Sequence, residues 1–106
     1  MPKYLFEASY TPDGVAGLRG SGASSRAKAI NDMATALGGS LESFHFAFGD
    51  VDAYVIVDLP DDEAAAAAAF TVGASPMTML KTVKLLTLDE ADAAISRSVN
   101  YRPPGN

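Results

Sequence analysis

The sequence has no cysteine and only one histidine, His45. Without cysteine the chain has no disulfide framework, no thiol nucleophile and no thiolate metal ligand, which fits a reducing compartment. Basic residues are also few, since 8 Lys and Arg stand against 13 Asp and Glu and give a formal net charge of −5. Affinity for nucleic acid comes largely from Lys and Arg that neutralise phosphates, so this balance argues against a nucleic-acid partner.

Long apolar stretches are absent as well. After Met1-Pro2-Lys3 the sequence enters a predicted strand, and no run is long enough for a signal or transmembrane segment. We therefore expect no membrane partner and a cytoplasmic location. The sequence is 48% hydrophobic and 20% charged over 106 residues, which is typical of one globular domain with its own core.

The clearest pattern is a β-hairpin between residues 41 and 59. Alternating side chains flank Gly49-Asp50, which we interpret as a two-residue turn. This turn fixes the register of the two strands. The predicted pairs on the apolar face are Phe48–Val51, Phe46–Ala53, Phe44–Val55 and Glu42–Val57, and those on the opposite face are Ala47–Asp52, His45–Tyr54, Ser43–Ile56 and Leu41–Asp58.

Two more strands and four helices complete the predicted elements. Apolar alternation predicts strands at 3–10 and 77–86, and helical spacing, capping residues and an alanine tract predict helices at 12–20, 23–37, 61–73 and 88–96. The order predicts an α+β, ferredoxin-like βαββαβ fold with a short C-terminal helix. Its four antiparallel strands lie in the order fourth, first, third, second, with helices on one face. Residues 1–98 form the predicted domain and 99–106 a flexible tail.

The predicted sheet leaves one face without helices, called the open face below. It carries Leu41, Tyr54 and Ile56 together with apolar residues of the outer strands, a larger patch than a soluble monomer usually exposes. We expect a second copy of the chain to cover it and to enclose a cavity in each half of a dimer. The alternative is a monomer whose C-terminal helix, Leu88 to Ser96, folds over the open face.

The candidate site residues lie on this face. His45 and Tyr54 are predicted cross-strand neighbours, Asp52 lies diagonal to His45 at about 7–8 Å between backbones, and Glu7 of the first strand can join them. In an enclosed pocket Asp52 would orient the imidazole, His45 would move a proton and the tyrosine hydroxyl would hold an oxygen. The alternative is that these polar groups only satisfy one another or the partner subunit.

Two functions follow from these alternatives. The first is a homo-oligomeric small-molecule-binding protein or small enzyme with its pocket on the open face. The second is a structural oligomerisation module without catalysis. We expect no metal and no cofactor, because His45 could be joined only by Asp52, Asp58 or Glu7 and no ligand-spacing motif is present.

Two other features leave alternatives open. Residues 20–26 could offer backbone N–H groups to an anion near Arg26, but they lack the lysine of a phosphate-binding loop, which favours an ordinary start of a helix. Lys81 and Lys84 fall on opposite faces of the last strand, so one of them faces the open side.

Several short motifs resemble the GYD domain family, which is named for a Gly-(acidic)-Tyr-Asp stretch at the hairpin turn. The matching residues are Gly49-Asp50-Val51-Asp52, the strand Val55 to Leu59 followed by Pro60-Asp61-Asp62, the segment Tyr10 to Gly14, and Gly38-Gly39. The resemblance covers residues 3–95 and departs from the family at Val51, where the family has tyrosine. It implies a fold of the dimeric α/β barrel group, whose members include small monooxygenases, dehydratases and binding proteins.

Overall fold

The computed structural model describes residues 1–105. Within them the chain forms four strands and four helices. Their bounds are β1 Lys3–Tyr10, α1 Pro12–Ser21, α2 Ala23–Ala36, β2 Ser40–Phe46, β3 Ala53–Asp58, α3 Asp62–Gly73, β4 Thr78–Leu85 and α4 Leu88–Ile95. The strands form one open antiparallel sheet in the order β2-β3-β1-β4, which confirms the predicted order read from the other edge.

Side chains at the helix starts explain where these helices begin. The Thr11 hydroxyl accepts a hydrogen bond from a first-turn N–H of α1 at 3.1 Å, and Pro12 occupies the first helical position. The Asp61 carboxylate does the same for α3 at 2.8 Å. Thr87 and Glu90 form the predicted capping box of α4. The helix ends differ from those predicted by one residue or none, within the usual fraying of a last turn.

The hydrophobic core lies between the sheet and helices α2 and α3. Alternation along β1 buries Tyr4, Phe6 and Ala8 on one face. The alanine tract of α3 buries Ala65 and Ala68, and side chains this small let the helix axis lie close to the sheet. The other buried apolar residues are Ile30, Ala34, Ala53, Val55, Val57 and Leu59. Each Val, Leu or Ile side chain buried here contributes about 1.5–3 kcal/mol.

The predicted two-residue turn of the hairpin is wrong. Residues 47–52 connect β2 to β3, so Phe48 and Val51 lie in a loop instead of pairing. Ala47 still donates its N–H to the Asp52 carbonyl at 2.8 Å, which extends the ladder by one bond. The longer loop therefore keeps the register that was predicted for the neighbouring pairs.

A β-bulge in β2 overturns two predicted placements. Leu41 pairs with Val57, and Glu42 is the extra residue before the next pair. The predicted position of Glu42 opposite Val57 on the helix-covered face is therefore wrong, as is that of Leu41 on the open face. Leu41 packs against the core, whereas Glu42 accepts a hydrogen bond from Lys3. Apolar burial and an ion pair thus both favour the bulged register.

Helix α4 stands apart from the rest of the domain. None of its residues is buried, and Leu88 and Ile95 are 84% and 80% exposed. The radius of gyration is 16.8 Å, compared with about 13 Å for a compact chain of this length. The alternative in which α4 covers its own sheet is not the arrangement found. The flexibility of residues 99–105 stays a prediction, and Asn106 of that tail lies outside the described residues.

Gly39 allows a close approach of two backbone segments. A Cβ at this position would overlap the carbonyl oxygen of Asp58, whereas one at Gly73 would meet nothing within 4 Å. We expect Gly39→Ala to lower the free energy of unfolding by about 1–3 kcal/mol because the backbone must move. Gly73→Ala, the control, should leave it unchanged or raise it by up to about 1 kcal/mol. Urea denaturation measures both, and equal stability of the two variants would contradict the packing.

Candidate functional site

Four chemically active side chains cross the open face in one row. The register places His45 beside Tyr54, Tyr54 beside Glu7 and Glu7 beside Lys81, with one residue from each strand. Strands lie about 4.8 Å apart, so this open-face row spans about 14 Å. The predicted pairing of His45 with Tyr54 is confirmed, and the lysine that faces the open side is Lys81. Lys84 faces the helices, where its Nζ lies 2.9 Å from an Asp62 carboxylate oxygen.

The open-face row is free to bind other groups. Within residues 1–105 none of its four side chains makes a hydrogen bond or ion pair with another residue. His45 is exposed, Tyr54 is 40% exposed and Glu7 is half-buried. An imidazole, a phenol, a carboxylate and an ammonium group side by side can donate and accept hydrogen bonds and can transfer a proton.

An apolar row lies directly beside the open-face row. It consists of Ile56, Leu5 and Val83, which come from successive pairs across the sheet. Ser43 of β2 continues the row at one edge with a polar side chain. Beyond them Lys3 donates hydrogen bonds to Asp58, at 2.8 Å, and to Glu42, which closes this end of the face with an ion-pair network. These hydrogen bonds raise the pKa of Lys3, with Asp58 the larger cause. The open face therefore has an apolar centre between two polar rows.

Asp52 lies in the row next to His45 but is bound to the backbone. Its carboxylate accepts a hydrogen bond from the Tyr10 N–H at 2.8 Å, and its own N–H donates to the Ala8 carbonyl at 2.9 Å. Asp52 thereby continues the ladder between β1 and β3 beyond the end of the strand. Of the four predicted site residues, the structure brings His45, Tyr54 and Glu7 into one row, whereas Asp52 fixes the adjacent loop.

The helix-covered side of the sheet holds a second polar cluster. The Tyr4 hydroxyl donates to Asp62 at 2.5 Å, and Lys84 pairs with the same carboxylate. Burial, followed by the hydrogen bond and charge of Asp62, raises the pKa of Tyr4 to about 12. Hydrogen bonds from Tyr4 and Lys84 lower the pKa of Asp62. The cluster ties the start of α3 to β1 and β4 and is structural in character.

Concave cavities lie on the helix-covered side of the sheet. One of about 230 Å³ is lined by residues of α1, the start of α2 and the segment leading into β4, among them Asp13, Arg26 and Met77. The sequence indicates a candidate anion site at residues 20–26 but not a cavity, because the walls of the cavity come from segments that are distant in sequence.

The described part of the chain contains neither a cluster of metal ligands nor a membrane-spanning helix. Among residues 1–105, no group of three or more His, Cys, Asp or Glu side chains has the geometry to hold a metal ion. In the same residues no helix has both the length and the apolar character needed to cross a bilayer.

Removing the Asp52 carboxylate tests its structural role. Asp52→Ala leaves the partly buried Tyr10 N–H without its acceptor and should lower the free energy of unfolding by about 1–2 kcal/mol. Asp50→Ala, in the same loop, is the control, because only the Asp50 backbone carbonyl is engaged, by Ser9. Equal unfolding midpoints in urea for the two variants would rule out this role.

The Tyr4 hydroxyl should make stability depend on alkaline pH. Its folded-state pKa of about 12 exceeds the ordinary value of 10.0, so the stabilisation is complete below pH 10 and is lost as the pH rises towards 12. Tyr4→Phe removes this dependence. Between about pH 8 and about pH 11 the urea midpoint of the unchanged protein should therefore fall by more than that of Tyr4→Phe. Equal decreases in the two proteins would contradict the assignment.

Comparison with known proteins agrees with the motifs found in the sequence. Neither the curated proteins nor the solved structures contain a match to this sequence. The family model described as the GYD domain matches residues 4–95, a range that includes the sheet and all four helices. The chain belongs to the GYD domain family.

Proposed function

We propose that the protein is a homo-oligomer, with a dimer as its smallest unit, that binds a small molecule on the open face. The observation that carries the proposal is the open-face row: His45, Tyr54, Glu7 and Lys81 lie side by side without partners among the described residues, next to an apolar row. Functional sites commonly combine an apolar surface with a few convergent polar groups in this way.

The apolar row supports covering by a second copy. Leu5, Ile56 and Val83 lie in the middle of a face that no helix covers within residues 1–105. Met79, on the other side of the open-face row, is 64% exposed. Packing two such faces together would remove this apolar area from water on both subunits. It would also enclose the open-face row, which strengthens its electrostatic interactions by excluding solvent.

The area of the face suggests that α4 takes part. Four strands at about 4.8 Å spacing and about 20 Å in length give a face of roughly 400 Å², whereas a stable interface needs about 800 Å² from each partner. On α4, Leu88, Ala91 and Ile95 share one side of the helix, and Leu88 and Ile95 are exposed. In the proposed dimer this side of α4 packs on the partner subunit.

In the site that the proposed dimer encloses, each of these side chains has a separate role. His45 can transfer a proton, and the Tyr54 hydroxyl can hold a substrate oxygen. Glu7 and Lys81 supply opposite charges at the other end of the row. Asp52 makes no direct bond to the imidazole. It supports the site by fixing the loop beside His45.

Oligomer size tests the assembly. We expect light scattering to find a species of at least twice the 11.0 kDa chain mass. Ile56→Lys places a charge in the apolar row and should yield the single chain, because the charge would have to be buried in the interface. Phe70→Lys, on an 80% exposed side chain of α3, is the matched control and should leave the oligomer intact. A single 11.0 kDa species for the unchanged protein would refute the proposal.

The substitution His45→Ala separates binding from assembly. We expect the oligomer to persist, while a small molecule or ordered waters seen beside His45 in a crystal of the untreated protein disappear from the variant. Light scattering and crystallography give the two readouts. A dry, packed interface, together with a variant that changes only stability or oligomer size, would instead support a structural module without chemistry.

A further inference from the structure

We propose that the cavity between α1, α2 and the segment before β4 binds an apolar amino acid with a medium-sized side chain, such as leucine, as a zwitterion. Arg26 would bind its carboxylate and Asp13 its ammonium group. The cavity lies on the helix-covered side of the sheet, away from the open-face row, so this site is independent of the function proposed above. Four observations support it.

The first observation is the unpartnered guanidinium of Arg26. Within the described residues its side chain makes no ion pair or hydrogen bond, and its Nε is buried without an acceptor. The guanidinium lies over the ring of Tyr10, 5.9 Å from its centre. This contact holds the cation in place without neutralising it. The side chain as a whole is half-buried and lines the cavity, so a ligand carboxylate there would supply the opposite charge and hydrogen-bond acceptors for the guanidinium.

The second observation is an unpaired acid in the same cavity. Asp13 lines the cavity together with Arg26, yet the two do not form an ion pair. A phosphate or a dicarboxylate would be attracted by Arg26 but repelled by Asp13. A zwitterion pairs with both Arg26 and Asp13 and is neutral overall. Its binding therefore brings no net charge into the cavity.

The third observation is the size and the apolar lining of the cavity. Its volume of about 230 Å³ corresponds to about eight waters at ~30 Å³ each. This is room for an amino acid with a medium-sized side chain, below the range of drug-sized pockets. Leu18 and Met77 line it beside the charged groups and provide apolar contacts for the side chain.

The fourth observation is that the walls are fixed in position. The Thr11 N–H donates to the Met77 carbonyl at 3.0 Å, and a Cβ on Gly14 would overlap that same carbonyl. Helix α1 therefore sits against the segment before β4 at a distance that only glycine permits. A site with preformed walls loses less conformational entropy when it binds a ligand.

The test uses leucine and two analogues that each lack one charge. Leucine is added to the full-length protein, and the amide NMR signals of Gly14 and Gly17 report on the cavity. We expect saturable shifts of these signals with leucine. Isocaproate, which lacks the ammonium group, and isoamylamine, which lacks the carboxylate, should each bind about tenfold more weakly, since each leaves one charged residue unpaired.

Variants of the cavity provide the matched controls. Gly17 lines the cavity and Gly20 does not, although both lie in α1 and a Cβ at either would meet nothing within 4 Å. Gly17→Met should abolish the leucine-induced shifts by filling the cavity, whereas Gly20→Met should retain them. Arg26→Gln and Asp13→Asn should each weaken binding about tenfold, and circular dichroism confirms that they fold.

Several results would overturn the proposal. These are the absence of shifts with leucine, shifts that survive Gly17→Met, and equal binding of isocaproate and leucine. Loss of binding in Gly20→Met would do the same, because the effect would then not come from the cavity. None of these results bears on the open-face row, which is tested through oligomer size and His45→Ala.

Discussion

The hydrogen-bonded ladder that joins β1 to β3 and β4 is the constraint on which the rest of the structure depends. Because side chains alternate along a strand, the pairing of Glu7 with Tyr54 and Lys81 decides which residues face the helices and which face outward. A shift by one residue would expose Phe6 and bury Glu7. The buried aromatic side chains of β1 therefore hold the open-face row in place from the opposite side of the sheet.

The sequence predicts the order of the strands and most of the register between β2 and β3, but not the irregularities in β2 and its loop. Alternation on either side of the predicted Gly49-Asp50 turn predicts the pairing of His45 with Tyr54, which the longer loop preserves. In the bulged register Glu42 accepts a hydrogen bond from Lys3, a residue distant in sequence that lies across β3. No local pattern contains that contact. The predicted position of Leu41 is wrong for the same reason, since its burial depends on where the bulge falls.

The hairpin loop shows how a family motif can have a structural meaning. Gly49 has a φ of +100°, which glycine adopts without a steric cost. Asp52 is bound to the Tyr10 N–H. These two residues match the glycine and the aspartate of the family pattern and Asp50 matches its acidic position, whereas the tyrosine position is Val51 here. The motif therefore fixes the loop to β1, and the binding site proposed on the open face uses residues outside the motif.

The cavity beside Arg26 could not be inferred from the sequence, because the segments that form it meet only through tertiary contacts. Gly14 and Met77 are far apart along the chain, and their close approach creates the wall of the cavity. Tyr10 connects this wall to the rest of the fold. Its ring supports the Arg26 guanidinium and its N–H is held by Asp52. The loop that marks the family thus also positions one side of the cavity, through a single residue at the end of β1.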